Sequence, residues 1–123
     1  MNIRTGVDIE QIERFERLLK KPSFMRGVYT EGERAYIEQK PHPAQTAAGL
    51  FCAKEAAAKA LGRGLFGLRP DQLEVLWDEQ GAPVLHLHGA AAESYGDWQL
   101  ALSIAHSGGM AVAFCVATKT QGA

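Results

Sequence analysis

The middle of the chain carries three charged side chains in a segment that is otherwise apolar and rich in alanine. Lys54, Glu55 and Lys59 are the only charged residues of segment 44–61. A helix this apolar is mostly buried, and a buried charge is costly unless it is paired or binds an ion or a ligand. Glu55 and Lys59 are four residues apart and therefore share one helix face. The spacing alone favours an intrahelical ion pair, and a functional site is the alternative.

Two carboxylates near the N-terminus form a second candidate site. Asp8 and Glu10 are two residues apart, in the sequence Asp-Ile-Glu. Two carboxylates, joined by a third from elsewhere, suit a hard cation such as magnesium, which takes oxygen ligands and keeps waters and substrate phosphates in its shell. Asp8 is also predicted to end a short strand and to cap the helix that follows it. Taken alone, this capping role is the simpler explanation of Asp8.

Histidine and serine residues give weaker signals. His106 ends an apolar strand beside the turn Ser107-Gly108-Gly109, where a satisfied structural histidine is the usual finding. His86 and His88 alternate on a strand, and the absence of a third ligand nearby favours a surface face over a metal site. Ser103 precedes His106 by three residues, so the two point to opposite faces of a regular strand. A Ser/His nucleophilic pair is therefore not favoured.

The hydrophobic pattern predicts the elements that must position these residues. The predicted elements are a strand at 3–8, helices at 9–20, 31–39 and 44–61, strands at 73–77 and 84–88, a short helix at 89–95, and a hairpin of strands 98–105 and 110–117. Early helices and late antiparallel strands predict an α+β fold, in which β-hairpins pack against the long alanine-rich helix. Both strands of the last hairpin are apolar on both faces, which predicts that the hairpin is central and buried.

Length, charge and cysteine content limit the class of protein. The 123 residues suit a single domain, 1–123. Thirteen basic and fourteen acidic side chains give a net charge of -1, which argues against a general nucleic-acid binder. Cys52 and Cys115 are predicted to be buried free thiols of a reducing compartment. The sequence shows neither a membrane-length apolar run nor a signal peptide, so we expect a cytoplasmic protein without a membrane partner.

Three segments, taken together, resemble the small holo-acyl-carrier-protein synthases of the 4′-phosphopantetheinyl transferase superfamily. They are Gly6-Val7-Asp8-Ile9, the stretch Phe51-Cys52-Ala53-Lys54-Glu55-Ala56-Ala57-Ala58-Lys59-Ala60-Leu61-Gly62, and Ser103-Ile104-Ala105-His106. Their order and spacing fit over about residues 5–117, and the turn Gly81-Ala82-Pro83 also looks like the family's hairpin. The resemblance implies transfer of the 4′-phosphopantetheine arm of coenzyme A to a serine of an apo acyl carrier protein, with release of adenosine 3′,5′-bisphosphate. Because that serine belongs to the carrier, this chain need not supply a nucleophile.

The resemblance also assigns roles to individual residues. It implies that Asp8 and Glu55 hold Mg²⁺, that Glu10 is a third ligand, and that Glu55 helps to take the serine proton. The implied catalytic residues are Glu55, Lys59 and His106. The implied coenzyme-binding residues are Lys59, Gly62, Arg63, Gly64, Ser103 and His106.

The first helix carries the residues that the resemblance assigns to the partner. Arg14, Arg17 and Lys21 have the spacing of one helix face and would attract an acidic carrier. Basic residues near a helix C-terminus also suit the helix dipole, and from the sequence alone that explanation is preferred. The family's enzymes are typically homotrimers with sites at subunit interfaces. In a trimer of this kind, we expect Asp8 to come from one chain and the Glu55 helix from its neighbour, or the reverse.

The sequence departs from the family pattern at a few positions. Leu50 stands where the family usually carries an arginine, Arg4 where a glycine is common, and Ala105 where a threonine is usual. Ser107-Gly108 replaces a more polar or acidic turn. The departures at 50, 105 and 107 favour, as an alternative, a non-catalytic module that docks carrier proteins and binds coenzyme A without efficient turnover. An unrelated small α+β ligand-binding domain is a third hypothesis, which requires the three motifs to be coincidental. The type of carrier, from fatty-acid, polyketide or peptide synthesis, is not specified by the sequence.

Overall fold

Two antiparallel sheets and a long helix dominate the described part of the chain, residues 1–63 and 67–120 of a computed structural model. The strands are β1 (Asn2–Gln11), β2 (Leu73–Trp77), β3 (Pro83–Leu87), β4 (Gln99–Ser107) and β5 (Met110–Lys119). The helices are α1 (Ile12–Leu18), α2 (Pro22–Val28), α3 (Glu31–Gln39), α4 (Pro43–Ala60) and α5 (Gly89–Tyr95), and a 3-10 turn spans Pro70–Gln72. The predicted α+β class, the long helix and both hairpins are confirmed.

The larger sheet has the strand order β1-β5-β4, and α4 packs across one of its faces. The inward-facing residues of β5 are small and buried: Ala111, Ala113, Cys115 and Ala117. The opposing face of α4 is also rich in buried alanine. Small side chains on both surfaces allow the helix axis to lie close to the sheet, so that the helix contacts the strand backbone directly.

Gly6 marks the closest approach between α4 and β1. A Cβ atom at this position would lie 2.0 Å from the carbonyl oxygen of Ala56 and 2.7 Å from the backbone nitrogen of Ala60. Both atoms belong to the backbone of α4, so a side chain at position 6 would force the helix away from the strand. The glycine is therefore required by the packing of these two elements.

The N-terminal strand is longer than predicted. β1 continues through Asp8 to Gln11, and its pairing with β5 extends to Met110. The prediction that Asp8 ends a strand and caps a helix is therefore wrong. Partners on β5 keep residues 9–11 extended, and α1 begins only at Ile12, whose N–H donates to the Gly109 carbonyl at 2.9 Å.

The first predicted helix is also divided into two. α1 ends at Leu18, and Pro22 begins α2, which the sequence analysis missed. Proline is well suited to the first turn of a helix, and it holds the preceding Lys21 in an extended conformation. Lys21 therefore does not lie on the α1 face with Arg14 and Arg17, which corrects the predicted three-residue face.

The C-terminal hairpin is buried on one face only. Its strand β5 is central, but β4 is an edge strand on which exposed residues alternate with partly buried ones. The prediction of burial on both faces is wrong for this chain, because α4 covers one face and no described element covers the other. The open face carries exposed apolar side chains from β1 and β5: Ile3, Val7, Ile9 and Phe114.

A buried ion pair connects α4 to the smaller sheet. The Lys54 ammonium lies 2.6 Å from Glu33 Oε1, and both side chains are at most 1% exposed. Glu33 Oε2 accepts a hydrogen bond from the Val75 N–H, and Lys54 also donates to the carbonyl of Leu73. Thr30 and Glu33 form a capping box at the start of α3, and the same glutamate thus joins α3, α4 and β2.

Cys52 and Cys115 are free and buried, as predicted. In the described residues, no helix has both the length and the apolar character needed to cross a bilayer.

Replacing Gly6 with alanine should destabilise the protein. We expect Gly6→Ala to lower the free energy of unfolding by about 3 kcal/mol, the upper end of typical overpacking costs, because the clash is with backbone atoms. Urea denaturation measures this change. Gly27→Ala is the matched control, since a Cβ at Gly27 meets nothing within 4 Å and alanine favours helix. Equal stability of Gly6→Ala and the unmodified protein would contradict the close-packing argument.

Candidate active site

Asp8, Glu55 and Lys59 come together where α4 crosses β1. Lys59 Nζ lies 3.3 Å from Asp8 Oδ1 and donates a hydrogen bond to the Val7 carbonyl at 3.0 Å. In the described chain, Lys59 thus pairs with Asp8 across the helix–strand contact, and the predicted Glu55–Lys59 ion pair is not formed. The expectation that Asp8 and the Glu55 helix come from different chains is also wrong, because α4 packs on β1 of the same chain.

Three carboxyl groups share this region, and burial, together with the repulsion between them, raises two of their pKa values. Burial, followed by the neighbouring Asp8 carboxyl, raises the pKa of Glu10 to about 7, although Arg14 at 2.7 Å opposes the shift. Burial and Asp8 likewise raise the pKa of Glu55, against the lowering effect of Lys59 and Arg14. The site therefore concentrates negative charge beyond what its two cations neutralise.

One oxygen of the cluster has no partner. Asp8 Oδ2 is buried and makes no hydrogen bond. An unpartnered carboxylate oxygen beside Glu10 and Glu55 fits a hard cation, which would supply the missing interaction and reduce the repulsion. Within residues 1–63 and 67–120, no three His, Cys, Asp or Glu side chains form a complete metal site. A cation beside Asp8 would therefore need water or substrate oxygens among its ligands, as magnesium commonly has.

Arg14 lies at the border between this cluster and the surface. Its guanidinium pairs with Glu10 and lies over the rings of Phe15 and Phe51, at 5.6 and 5.8 Å from their centroids. Its side chain is half exposed, and Arg17 is exposed in the last turn of α1. Arg14 therefore connects an accessible basic surface to the carboxyl cluster.

His106 lies apart from the carboxyl cluster. Ala111 of the central strand β5 pairs with His106 of β4 on one side and with Glu10 of β1 on the other. Two strand spacings, about 10 Å, therefore separate the backbones of His106 and Glu10. Its Nε2 lies 3.1 Å from Gln45 Nε2 at the start of α4. His106 and Asp8 therefore flank opposite sides of the central strand.

A cavity of about 370 Å³ opens beside His106. Its lining includes Tyr36, Lys40, Leu50, Trp77, Pro83 and Ile104. Leu50, one of the departures from the family pattern, is thus a buried residue of the cavity lining. Tyr36, Lys40 and Trp77 were not predictable from the sequence, because they lie in separate elements and form no motif.

The remaining predicted residues that the structure describes lie in two places. Gly62, at a φ of 81°, and the exposed Arg63 follow the last turn of α4, just beyond Lys59. Ser103 pairs with Phe114 on the open face of the sheet, opposite to the face that packs on α4. Gly64 lies outside the described residues. The coenzyme-binding roles of these residues stay predictions.

Comparison with known proteins agrees with the sequence resemblance. A profile of the 4′-phosphopantetheinyl transferase superfamily matches residues 4–115. The chain is similar to the holo-(acyl-carrier-protein) synthase of Alkaliphilus metalliredigens, with 43% identity over 118 residues, 92% of this chain and 96% of that protein. The synthase of Caldanaerobacter subterraneus subsp. tengcongensis is 36% identical over 121 residues, 95% of each chain.

Solved structures give the same result. A holo-(acyl-carrier-protein) synthase from Bacillus anthracis in complex with CoA (3′,5′-ADP) has a TM-score of 0.80 and 32% identity, over 95% of this chain and 96% of that chain. The Helicobacter pylori synthase in complex with coenzyme A has a TM-score of 0.82 and 28% identity, over 93% and 99% of the two chains.

Removing the charge of Asp8 should lower the pKa of Glu10. In Asp8→Asn, we expect Glu10 to titrate below its value of about 7, because the neighbouring carboxylate contributes to the shift. NMR titration of the glutamate side-chain carboxyl carbons measures the change. Asp97→Asn is the control, since Asp97 is exposed and pairs with Lys119. An unchanged Glu10 pKa in Asp8→Asn would contradict the coupling.

The raised pKa of Glu10 also fixes the sign of the pH dependence of stability. Its pKa is higher in the folded protein than the usual 4.5, so the folded state binds more protons between about pH 4.5 and pH 7. The contribution of Glu10 to the free energy of unfolding should therefore fall as the pH rises through this window. A Glu10→Gln variant, denatured in urea at several pH values, should lose that dependence.

Proposed function

Because this chain belongs to the 4′-phosphopantetheinyl transferase superfamily, we propose that it transfers the 4′-phosphopantetheine group of coenzyme A to a serine hydroxyl of an apo acyl carrier protein. The observation that carries the proposal is the meeting of Asp8, Glu55 and Lys59 at the α4–β1 contact. The leaving group is adenosine 3′,5′-bisphosphate. A phosphoryl transfer of this kind needs charge stabilisation and a proton acceptor, and this cluster contains groups suited to both tasks.

Glu55 is the proposed proton acceptor. The serine oxygen of the carrier forms a bond to the phosphorus next to the pantetheine arm, and the bond from that phosphorus to the bridging oxygen of the diphosphate breaks. The serine proton moves to the Glu55 carboxylate, whose basicity is increased by burial and by Asp8. The electron pair leaves with adenosine 3′,5′-bisphosphate.

Lys59 is the proposed phosphate contact. Its ammonium is half exposed, although it pairs with Asp8, so it retains freedom to approach a diphosphate oxygen as a mobile point charge. Gly62, Arg63 and Gly64 follow directly on α4, and we propose that this segment also contacts coenzyme A. His106 and Ser103 complete the proposed coenzyme-binding set.

Magnesium is the proposed cofactor. Asp8, Glu10 and Glu55 would hold it, which fits the unpartnered Asp8 Oδ2 and the raised pKa values of both glutamates. When bound, the ion supplies positive charge that neutralises the diphosphate as negative charge develops on the leaving group.

The proposed carrier surface consists of Arg14, Arg17 and Lys21. All three are exposed, with Arg14 and Arg17 on α1 and Lys21 just before α2. A basic surface accelerates the encounter with an acidic partner. Since Arg14 also pairs with Glu10, a carrier bound there would present its serine close to the carboxyl cluster.

We further propose that the chain forms a homotrimer through the open face of the larger sheet. Ile3, Val7, Ile9 and Phe114 are each between 45% and 64% exposed on this face. A contiguous apolar surface on a sheet usually marks an interface. Burying it against neighbouring copies would bring the sites of different chains close to one another.

The transfer reaction is tested by intact-protein mass spectrometry of an apo acyl carrier protein. Incubation with this chain, coenzyme A and Mg²⁺ should add one phosphopantetheine mass, and EDTA should abolish the gain. Asp8→Asn and Glu55→Gln should each reduce the rate by about a hundredfold or more, in line with losses of general-base and charge-stabilising groups. Asp97→Asn, far from the cluster, is the control. Normal rates in Glu55→Gln would exclude its proposed roles, and coenzyme A binding without any transfer would favour a docking module.

A charged substitution on the open face of the larger sheet tests the proposed trimer. Phe114→Arg should shift the sedimentation mass from three chains towards one, because an arginine there cannot be buried without a partner. Leu76→Arg is the matched control, since Leu76 is 41% exposed on the smaller sheet. A monomeric unmodified protein, or an unchanged mass for Phe114→Arg, would contradict the proposed interface.

A further inference from the structure

The cavity beside His106 has an aromatic wall that the proposed chemistry does not use. Tyr36 of α3 and Trp77 at the end of β2 are stacked, with ring centroids 5.4 Å apart and an interplanar angle of 26°. Trp77 remains 36% exposed, and both residues line the cavity. The pair is held in place from two separate elements, so its position is fixed by the fold rather than by a mobile loop.

The rest of the lining offers little fixed charge. Leu50 is buried, and Ile104 extends the apolar surface. Among the described lining residues, Lys40 is the only one of the Lys, Arg, Asp and Glu types. Its ammonium lies 4.6 Å from the centre of the Tyr36 ring and is therefore held at the aromatic wall. A ligand in this cavity meets a flat aromatic surface and one cation at its edge.

These features match a flat, neutral heterocycle attached to a phosphate. Aromatic side chains bind nucleobases by stacking, and the interaction needs no hydrogen-bond pattern. A lysine near the stack attracts phosphate as a point charge. A volume of about 370 Å³ is within the range of small-molecule sites. The aliphatic pantetheine arm has no aromatic ring to stack, so its contact with the same aromatic wall would contribute much less to binding.

We propose that Trp77, supported by Tyr36, binds the donor by stacking on the purine ring of coenzyme A. The inference rests on the proposed transferase function, since it places one part of that reaction's donor. Trp77 is then a binding residue remote from the reacting phosphorus. Its loss should weaken donor binding and leave the chemical step largely intact.

Steady-state kinetics test the role of Trp77 in the reaction. Trp77→Ala should raise the KM for coenzyme A by about tenfold, within the range measured for loss of one base–aromatic stack, while kcat changes less than twofold. Trp77→Phe should retain most of the affinity because it keeps an aromatic face. Leu76→Ala, at the adjacent exposed position, is the control and should behave as the unmodified protein. An unchanged KM in Trp77→Ala would overturn the proposal.

Fluorescence gives a second readout that does not depend on transfer. The chain has two tryptophans, Trp77 and Trp98, and Trp98 lies elsewhere, between Arg4 and Lys119. In a Trp98→Phe variant, adenosine 3′,5′-bisphosphate should quench the emission of Trp77 with saturation. In Trp77→Phe, the same titration should leave the emission of Trp98 unchanged.

The two experiments separate the possible failures. Normal labelling of the carrier without quenching of Trp77 would overturn the stacking proposal and leave the transferase function standing. Quenching of Trp77 without labelling of any carrier would support the nucleotide site and exclude the transfer reaction.

Discussion

The direct contact between the backbones of α4 and β1 is the constraint on which the rest of the structure depends. It exists because position 6 has no side chain and because the facing surfaces of α4 and β5 consist mostly of alanine. In the same turn of the helix as this contact, Lys59 reaches Asp8, and Glu55 comes close enough for its pKa to respond to the Asp8 charge. A larger residue at position 6 would separate the groups that give the site its chemistry. The apolar composition of α4 is therefore as important for the site as its few charged residues.

The rotation of α4 about its own axis is set by a different interaction. Lys54 and Glu55 are adjacent, but they point in different directions, towards the smaller sheet and towards β1. Burial lowers the pKa of Lys54, and Glu33 opposes that effect by supplying the compensating charge. Removing one partner of such a buried pair usually costs about 3–5 kcal/mol, because the other charge is left unpaired. The ion pair thus fixes which face of α4 meets the strand, and it holds Glu55 in place although it is not part of the site.

Much of the fold was predictable because its signals are local. The alanine-rich composition identified α4, and the glycine turns identified both hairpins. The errors arose where a distant partner decides the structure: β5 keeps residues 9–11 extended, so Asp8 lies within a strand and caps no helix. For the site, the motif resemblance grouped Asp8 with Glu55 and Lys59, and the structure brings them together. The sequence did not predict the buried pairing of Glu33 with Lys54 or the stacking of Trp77 on Tyr36. Each depends on a contact between elements that are far apart in the sequence.

The alternation of β1 connects the site to the proposed assembly. Asp8 and Glu10 point towards α4, whereas Val7 and Ile9 point to the open face, so the same four residues serve both surfaces. A neighbouring chain that covers the open face would contact β1 on the face opposite to Asp8 and Glu10. Only the strand itself would then separate that chain from the carboxyl groups. It would also exclude water from that side and so deepen the burial that already raises the pKa of Glu10.

In this arrangement, His106 lies across the central strand from Asp8 and is too far away to join the carboxyl cluster of its own chain. A donor that contacts both would have to span the sheet within one chain or bridge two chains. The proposed homotrimer would offer the second route without any change in the fold of the chain.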